Sequence, residues 1–447
     1  MRLRSAVGAA AFACALAGCA GAHRGTGDAH PARAPGAASL FVFARGGAPP
    51  ADAVFARRED GGLAPLEVAS IPAGSRPDAE HAWLTGWIPP GPYAGLELHT
   101  GPETAVDVPF PFLAIADMGT VLLAGAPPAA TPGAPAPPLV LAKPPAIASG
   151  LLGLVSVASW DALELFDKRS GRVAQVLPVG RGPGGIAIDV AHLRAYVALR
   201  GDDGVAVVDL LEERVRERVI LRGGDAPADV AVTPDGRTLL VANAGSDTVS
   251  FVDTIAAVET ERVAVGARPV SVVIAPDGRK AYVVAERGTA VTVVDVNART
   301  VAGTIATDAG PVQARLGGRS SEFLYVAHGD SPYLLVVDAP SLSVLRRVYV
   351  GNGARALEVE PKTGRVLLAR AGQRKVEVFD PGSFLPVDEI TLSGDAVYLA
   401  LENEGNALGV LVAGPREADL FGNSGRRLQT RAAVGPDPVA LRFVDAQ

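Results

Sequence analysis

Glu286, His328 and Arg370 each follow an Ala that ends a short apolar run, in "AYVVAE", "LYVAH" and "VLLAR", and they stand 42 residues apart. A carboxylate, an imidazole and a guanidinium brought to one place could bind an anion or polarise a lactone. His328 would then act as base and Arg370 would stabilise developing negative charge. The alternative is three loop residues in water, each with a local salt bridge. The choice depends on the elements that carry them. Along the chain the same position reads Ser159, Leu199, Asn243, Glu286, His328, Arg370 and Gly414.

Those elements repeat. Strands ending in an acid recur as "LELFD", "VAVVD", "VSFVD", "VTVVD", "LLVVD" and "VEVFD", placing Asp167, Asp209, Asp253, Asp295, Asp338 and Asp380 at steps of 42, 44, 42, 43 and 42, with a degenerate "ADLFG" another 42 along. A second marker, Pro183, Pro227, Pro269, Pro311, Ala354, Ala396 and Pro438, keeps the same period. A repeat of this length with four short strands (a to d) fits a propeller blade, and seven markers fit seven blades. The repeat opens in mid-blade with "LVSVAS" and closes on "PVALRFV", an isolated strand a. The last strand is therefore expected to complete the first blade, closing the ring and removing exposed edges.

The stretches "PADVAVTPDGRTLLVANAGSDTVSFVDT" and "PVSVVIAPDGRKAYVVAERGTAVTVVDV" resemble the YVTN family of seven-bladed β-propellers, with a degraded copy at "LYVAHGDSPYLLVVDA". The resemblance spans nearly all of residues 150–447 and departs at the fifth and sixth steps, where the Pro and the Pro-Asp-Gly turn are lost. Asp235 and Asp277 in those turns, and the Asp that ends each strand c, read as turn-forming residues.

Function is expected where the repeat breaks, on the face formed by the b–c and d–a loops. Candidate binding residues there are Trp160, Asn243, Asp247, Arg268, Glu286, Arg287, His328, Asp330, Arg370 and Arg374, with Asp161, Asp202 and Asp203 nearby. Trp160 reads either as an exposed anchor or as packing for the first blade. "GRGPGG" at 180–185 precedes a strand and lacks the Lys-Ser/Thr of a phosphate loop, so it reads as a turn between blades. "NAGSD" has too few acids for a Ca²⁺ loop. His192 falls in an a–b turn on the opposite face.

Residues 39–126 carry strand-like runs between Gly/Pro turns and read as a small β-sandwich with Trp83, Trp87 and Tyr93 in its core. There "GWIPPGPY" resembles a hairpin of carboxypeptidase-regulatory-like sandwiches. Residues 127–149, rich in Pro and Ala, read as a semi-rigid linker. The fold class is all-β, a seven-bladed β-propeller over 150–447 preceded by this small β-sandwich domain.

The first residues have the make-up of an export signal: Arg2 and Arg4, an apolar run from Ala6 to Leu16, then small residues. Leu16-Ala17-Gly18-Cys19 resembles the lipobox of bacterial lipoproteins. That implies removal of residues 1–18, lipid on Cys19, and, with Ala20 rather than Asp next, the outer membrane. Residues 19–38 then read as a flexible tether. Losing Arg2 and Arg4, and no acid, takes the net charge from -7 to -9, which gives no reason to expect nucleic acid. Cys14 lies in the signal, so no disulfide, thiolate metal site or covalent haem is expected, and no cofactor or metal.

Two functions remain open beside a lipid-anchored, non-catalytic scaffold for an envelope protein or small ligand. One is a lactonase-like hydrolase using Glu286, His328 and Arg370. The other is a redox propeller like the haem d1 proteins, which the scarcity of His in the repeat disfavours.

Overall fold

The 42-residue period folds as four-stranded antiparallel sheets set in a ring. In this computed structural model the described residues are 37–45, 51–69, 80–100, 105–116, 118–125, 140–145, 147, 151–318, 321–402, 407–422 and 426–444. Six sheets run in chain order from strand a to strand d over 183–220, 227–264, 269–306, 311–349, 354–391 and 396–433. The seventh, blade 1, combines β9 (Leu152–Val157), β10 (Ala162–Asp167) and β11 (Val173–Pro178) with the last strand of the chain, β36 (Pro438–Phe443). β36 runs antiparallel to β9, with Leu441 opposite Val155 and Phe443 opposite Gly153. The innermost strands pack on one another all the way round, the last against the first.

Strands b and c are apolar on both faces because each face meets another blade. Leu239 to Asn243 are buried without a break, for example, while strand d of the same blade is mostly exposed. The described residues form one apolar cluster at each blade boundary. The turns repeat as expected. Asp253 accepts the N–H groups of Ile255 and Ala256 at 2.9 and 2.8 Å, and Asp167, Asp209, Asp295, Asp338 and Asp380 do the same work. Asp235 accepts from Arg237 N–H, and Gly236 follows it at a φ of 71°. Blades 6 and 7, whose Pro marker has decayed to Ala354 and Ala396, keep the same four-stranded geometry.

The N-terminal strands form a separate, nearly closed sheet. In chain order they are β1 (Ala38–Arg45), β2 (Ala53–Arg58), β3 (Leu63–Val68), β4 (Glu80–Ile88), β5 (Gly91–His99), β6 (Ala105–Ala114), β7 (Gly119–Gly125) and β8 (Val140–Ala142), and the spatial order is β6-β5-β2-β3-β4-β1-β7-β8. β3 and β4 pair only at Glu67–Thr85 and Val68–Leu84, so the sheet folds over there into two sandwich-like layers. "GWIPPGPY" is a corner and not a hairpin. β4 pairs with β1 and β3, and β5 with β2 and β6, because Pro89 and Pro90 turn the chain from one layer to the other. Trp83 and Tyr93 are core residues; Tyr93 stacks on Phe112 and donates its hydroxyl to Pro89 O, while Trp87 is half-buried. β8 lies within the stretch read as linker. Residues 1–36, with Cys19 and all but the end of the tether, lie outside the described residues; Ala37 and Ala38, read as its last two residues, are buried, and Ala38 begins β1.

The period of two along β1 joins the two parts. Leu40 and Val42 face the core of their own sheet, while Phe41 and Phe43 face the propeller. They meet Trp160, with ring centroids 5.0 and 6.2 Å away. Trp160 is 3% exposed, so the exposed-anchor reading is replaced by packing beneath the N-terminal sheet, an apolar partner that the repeat by itself does not reveal.

The seam where the ring closes is polar as well as apolar. Ser156 donates to Gly184 O and accepts from Ala440 N–H, tying the closing strand to blade 2. Glu164, fully buried on β10, accepts Gly435 N–H at 2.9 Å. Burial pushes its carboxyl up from 4.5 to about 8, a rise that the Gly435 N–H only partly offsets.

Two outcomes follow for this seam. Leu441→Ala should cost about 2–5 kcal/mol in denaturant melts, as a cavity in the closing strand. Because the folded state holds the Glu164 proton more tightly than the unfolded chain, stability should fall as pH rises from 4.5 to about 8 and stay low above. Glu164→Gln should flatten that fall in melts run across the same range; an unchanged slope would show that the carboxyl is not the group responsible.

Candidate functional site

Pairing registers fix which residues share a position around the ring. The residue of strand b opposite the first residue of strand a is Val157, Leu199, Asn243, Ala285, His328, Arg370 and Val412. Glu286 therefore stands one residue beyond its expected place, and Ser159 and Gly414 two beyond theirs. His328 and Arg370 do share the position, but their side chains serve different neighbours. Arg370 is held by Glu377, with Nη2 to Oε2 at 2.6 Å, and by Gln373. His328 is fully buried, its Nδ1 is 2.9 Å from Tyr333 O, and its Nε2 has no partner. Burial lowers its pKa, so the ring is held neutral. Glu286 pairs with Arg268 at 2.9 Å. No hydrogen bond or ion pair among the described residues joins any two of the three.

The other candidates divide by burial. Asp247 accepts Arg268 N–H at 2.7 Å. In the same way Asp161 accepts Gly182 N–H, and Asp203 accepts those of Gly224 and Ala226. These carboxylates latch the b–c turn to the d–a loop, so Asp247 belongs to the repeated architecture. Asp202 does similar work, accepting from Arg181 N–H and its guanidinium. Arg287, Asp330 and Arg374 are exposed on this face. On the opposite face His192 bonds Asp189 at 2.7 Å.

Asn243 is buried at one end of a polar chain across blade 3. It donates to Ser250 Oγ at 2.7 Å, Ser250 donates to Glu259, and Glu259 pairs with Arg262. Arg262 grips both oxygens of Asp225 at 2.6 and 2.7 Å. Burial works against the charge of Asp225, but Arg262, Ser246 and Arg222 N–H outweigh it and hold the carboxyl below its ordinary value. Arg262 and Glu259 also line a groove of about 420 Å³ at the rim.

A second polar set lies inside the ring. Strands a of blades 3, 5, 6, 7 and 1 send Asp229, Arg315, Glu358, Tyr398 and Arg442 toward the central channel. Arg315 pairs with Glu358 at 3.0 Å, and both Arg315 and Arg442 donate to the Tyr398 hydroxyl, Arg442 also lying over its ring. Arg315 is largely buried, with 13% of its side chain exposed. Asp229 accepts Val272 N–H from blade 4 at 3.0 Å, and burial raises its carboxyl despite the pull of Arg442. Its Oδ1 occupies the space that a side chain on Gly185 would fill, 2.0 Å from where that β-carbon would be. This explains the last glycine of "GRGPGG". Within the set Arg315 pairs with Glu358, the Tyr398 hydroxyl links Arg315 to Arg442, and Asp229 feels the charges of Arg442 and Arg315.

The signal for this set is in the sequence. Arg315, Glu358 and Arg442 come four residues after Pro311, Ala354 and Pro438, and Asp229 and Tyr398 two after Pro227 and Ala396. Among the described residues no group of three or more His, Cys, Asp or Glu side chains could hold a metal ion.

The ring of seven sheets closed by the C-terminal strand defines a seven-bladed β-propeller. A family model described as YNCE-like beta-propeller matches residues 186–414, more than half of the chain, and the chain belongs to that family. The resemblance to the YVTN repeat thus holds. No curated protein matches the chain. Solved structures do. Hydrazine synthase of Kuenenia stuttgartiensis is 21% identical over 58% of this chain and 88% of its own, with a TM-score of 0.51. A protein of unknown function from Desulfotomaculum acetoxidans is 14% identical over 66% and 99%, TM-score 0.58. The dihydro-heme d1 dehydrogenase NirN in complex with DHE is 14% identical over 68% and 77%, TM-score 0.53. At these identities the likeness is one of fold.

Arg262→Ala strands Asp225, whose side chain is 1% exposed, and should cost about 3–5 kcal/mol. Asp225 and Glu259 are held below their ordinary values, so their contribution is present near neutrality and fades as pH falls through the folded-state values. Urea melts at about pH 7 and about pH 3 should show the gap between variant and wild type narrowing in acid.

Proposed function

We propose that the protein is an exported lipoprotein, anchored in the outer membrane through a lipidated Cys19, whose propeller binds an envelope protein or small ligand on the face of its b–c and d–a loops without catalysing a reaction there. The supporting observation is the state of the groups that chemistry would need. Glu286, Arg370 and His328 are each held by a different neighbour, and Glu286 is out of register with the other two. A lactone-splitting site would need all three free and convergent. What the face offers to a partner is its exposed residues, Arg287, Asp330 and Arg374, on a rigid ring. The anchor rests on Leu16-Ala17-Gly18-Cys19 and the apolar run before it. No helix among the described residues is long and apolar enough to cross a membrane; in this reading attachment is by the lipid on Cys19.

The chain's two cysteines make the test clean. Cys14 and Cys19 both lie in the first 19 residues, so a cysteine placed at Arg287, Asp330 or Arg374 is a unique thiol in the propeller. Crosslinking in intact cells is expected to give defined adducts from these positions and none from His192→Cys on the opposite face. Cys19→Ala should release the protein from membranes. Adducts from the opposite face alone, or membrane association unchanged by Cys19→Ala, would remove the corresponding half of the reading.

A further inference from the structure

Between the N-terminal sheet and the outer rim of blades 1 and 2 lies a groove of about 430 Å³, lined by Leu113, Ile115, Thr120, Lys143, Gln175 and Glu213 among others. It is bounded by two strand edges. β7 pairs with β1 along Gly119 to Ala124, but on its other side β8 covers only Leu123 to Gly125. Pro144 and Pro145 end β8 there, since neither has an N–H to continue the ladder. Among the described residues the stretch from Gly119 to Leu122 has no ladder partner on that side. Beside it runs β11, the outermost strand of blade 1, which pairs only with β10. On β11 the N–H of Val176 is taken by the adjacent side chain, Gln175 Oε1, at 3.0 Å. The two strands touch at Gly119, where a β-carbon would lie 1.9 Å from Val176 O. Thr120 and Gln175 then line the groove from either strand.

The walls add two features. Leu113 and Ile115 are 62% and 47% exposed, a cost that a covering apolar group would relieve. Glu213, in the c–d turn of blade 2, is half-buried with no hydrogen bond or ion pair among the described residues, and burial pushes its carboxyl up. Lys143 also lines the groove, but it is exposed and its charge is screened by water.

We propose that this groove takes an extended polypeptide segment by strand addition, with a Lys or Arg side chain against Glu213 and aliphatic side chains over Leu113 and Ile115. The edge of β7 offers main-chain donors and acceptors at the spacing of another strand, which a peptide backbone matches and a simple amphiphile does not. The carboxylate selects the sign of the side chain, and the apolar wall selects its neighbours. This site is separate from the loop face of the propeller, because c–d turns lie at the other end of the blades, and its failure would leave the loop-face reading standing.

The test uses the full chain and an N-acetylated, fluorescein-labelled peptide of alternating Val and Thr around one central Lys, read by anisotropy. Saturable binding is expected, weakened about tenfold by Glu213→Gln and by replacing the peptide's Lys with Glu, a loss of about 1.4 kcal/mol. Amide exchange at 119–122 should slow when the peptide is present. Three results would each overturn the proposal: no saturation at millimolar peptide, binding indifferent to Glu213→Gln, or equal displacement by hexylamine with no change in amide exchange. The last would make the groove a site for small apolar amines.

Discussion

Everything in the propeller depends on one antiparallel pairing, that of the last strand with β9. A blade cannot bury its two apolar faces alone, and each takes one neighbour on either side. Seven such units in an open row would leave a naked face at each end. The pairing of Leu441 with Val155 and Phe443 with Gly153 turns the row into a ring, so that every apolar face has a partner without a disulfide. Glu164, Ser156 and Trp160 gather at this seam because it is where chain ends from opposite termini must be held in register.

Once the ring is closed, its polar groups have few free choices. Acids at the ends of strands c fold their own turns, acids in b–c turns hold the next d–a loop, and the acids in the channel face guanidiniums. This is why a chain with a clear excess of acid presents little unpaired carboxylate at the positions where a ligand would be sought. Half-buried Glu213 is an exception, and it stands at the border between the two parts of the molecule, where the repeat gives no rule for its surroundings.

The blades were legible because each one solves the same local problem with the same residues, twice marked along the chain. The misplacement of Glu286 is equally local. Reading back from the Val-Ala pair aligns Ala285 with Ala327, whereas counting three residues on from the repeated Tyr282 and Tyr325 aligns Ala285 with His328, as the registers have it. Asp247 was open to a functional reading because Asp161 and Asp203, its counterparts at steps of 42 and 44, sit in loops of different sequence. The channel set is hard to read from the sequence for a different reason. Each of its members is a single polar residue in an apolar strand, and its meaning appears only when strands from five blades are brought round one axis. The N-terminal sheet was harder still, since its strands pair out of sequence order and a Pro-Pro corner resembles a hairpin turn.

The aromatic contact between β1 and Trp160 also sets how load travels. β1 is bonded on both sides, to β4 and to β7, and enters the described structure at its first residues. Tension applied to the preceding chain would therefore act along that strand, shearing two ladders at once instead of unzipping one. What passes beyond them reaches blade 1 through Phe41 and Phe43, beside the seam that fastens the ring. The same few rings that align the two parts thus couple the mechanical strength of the sheet to that of the closure, and a weakened seam would yield from the pulled end first.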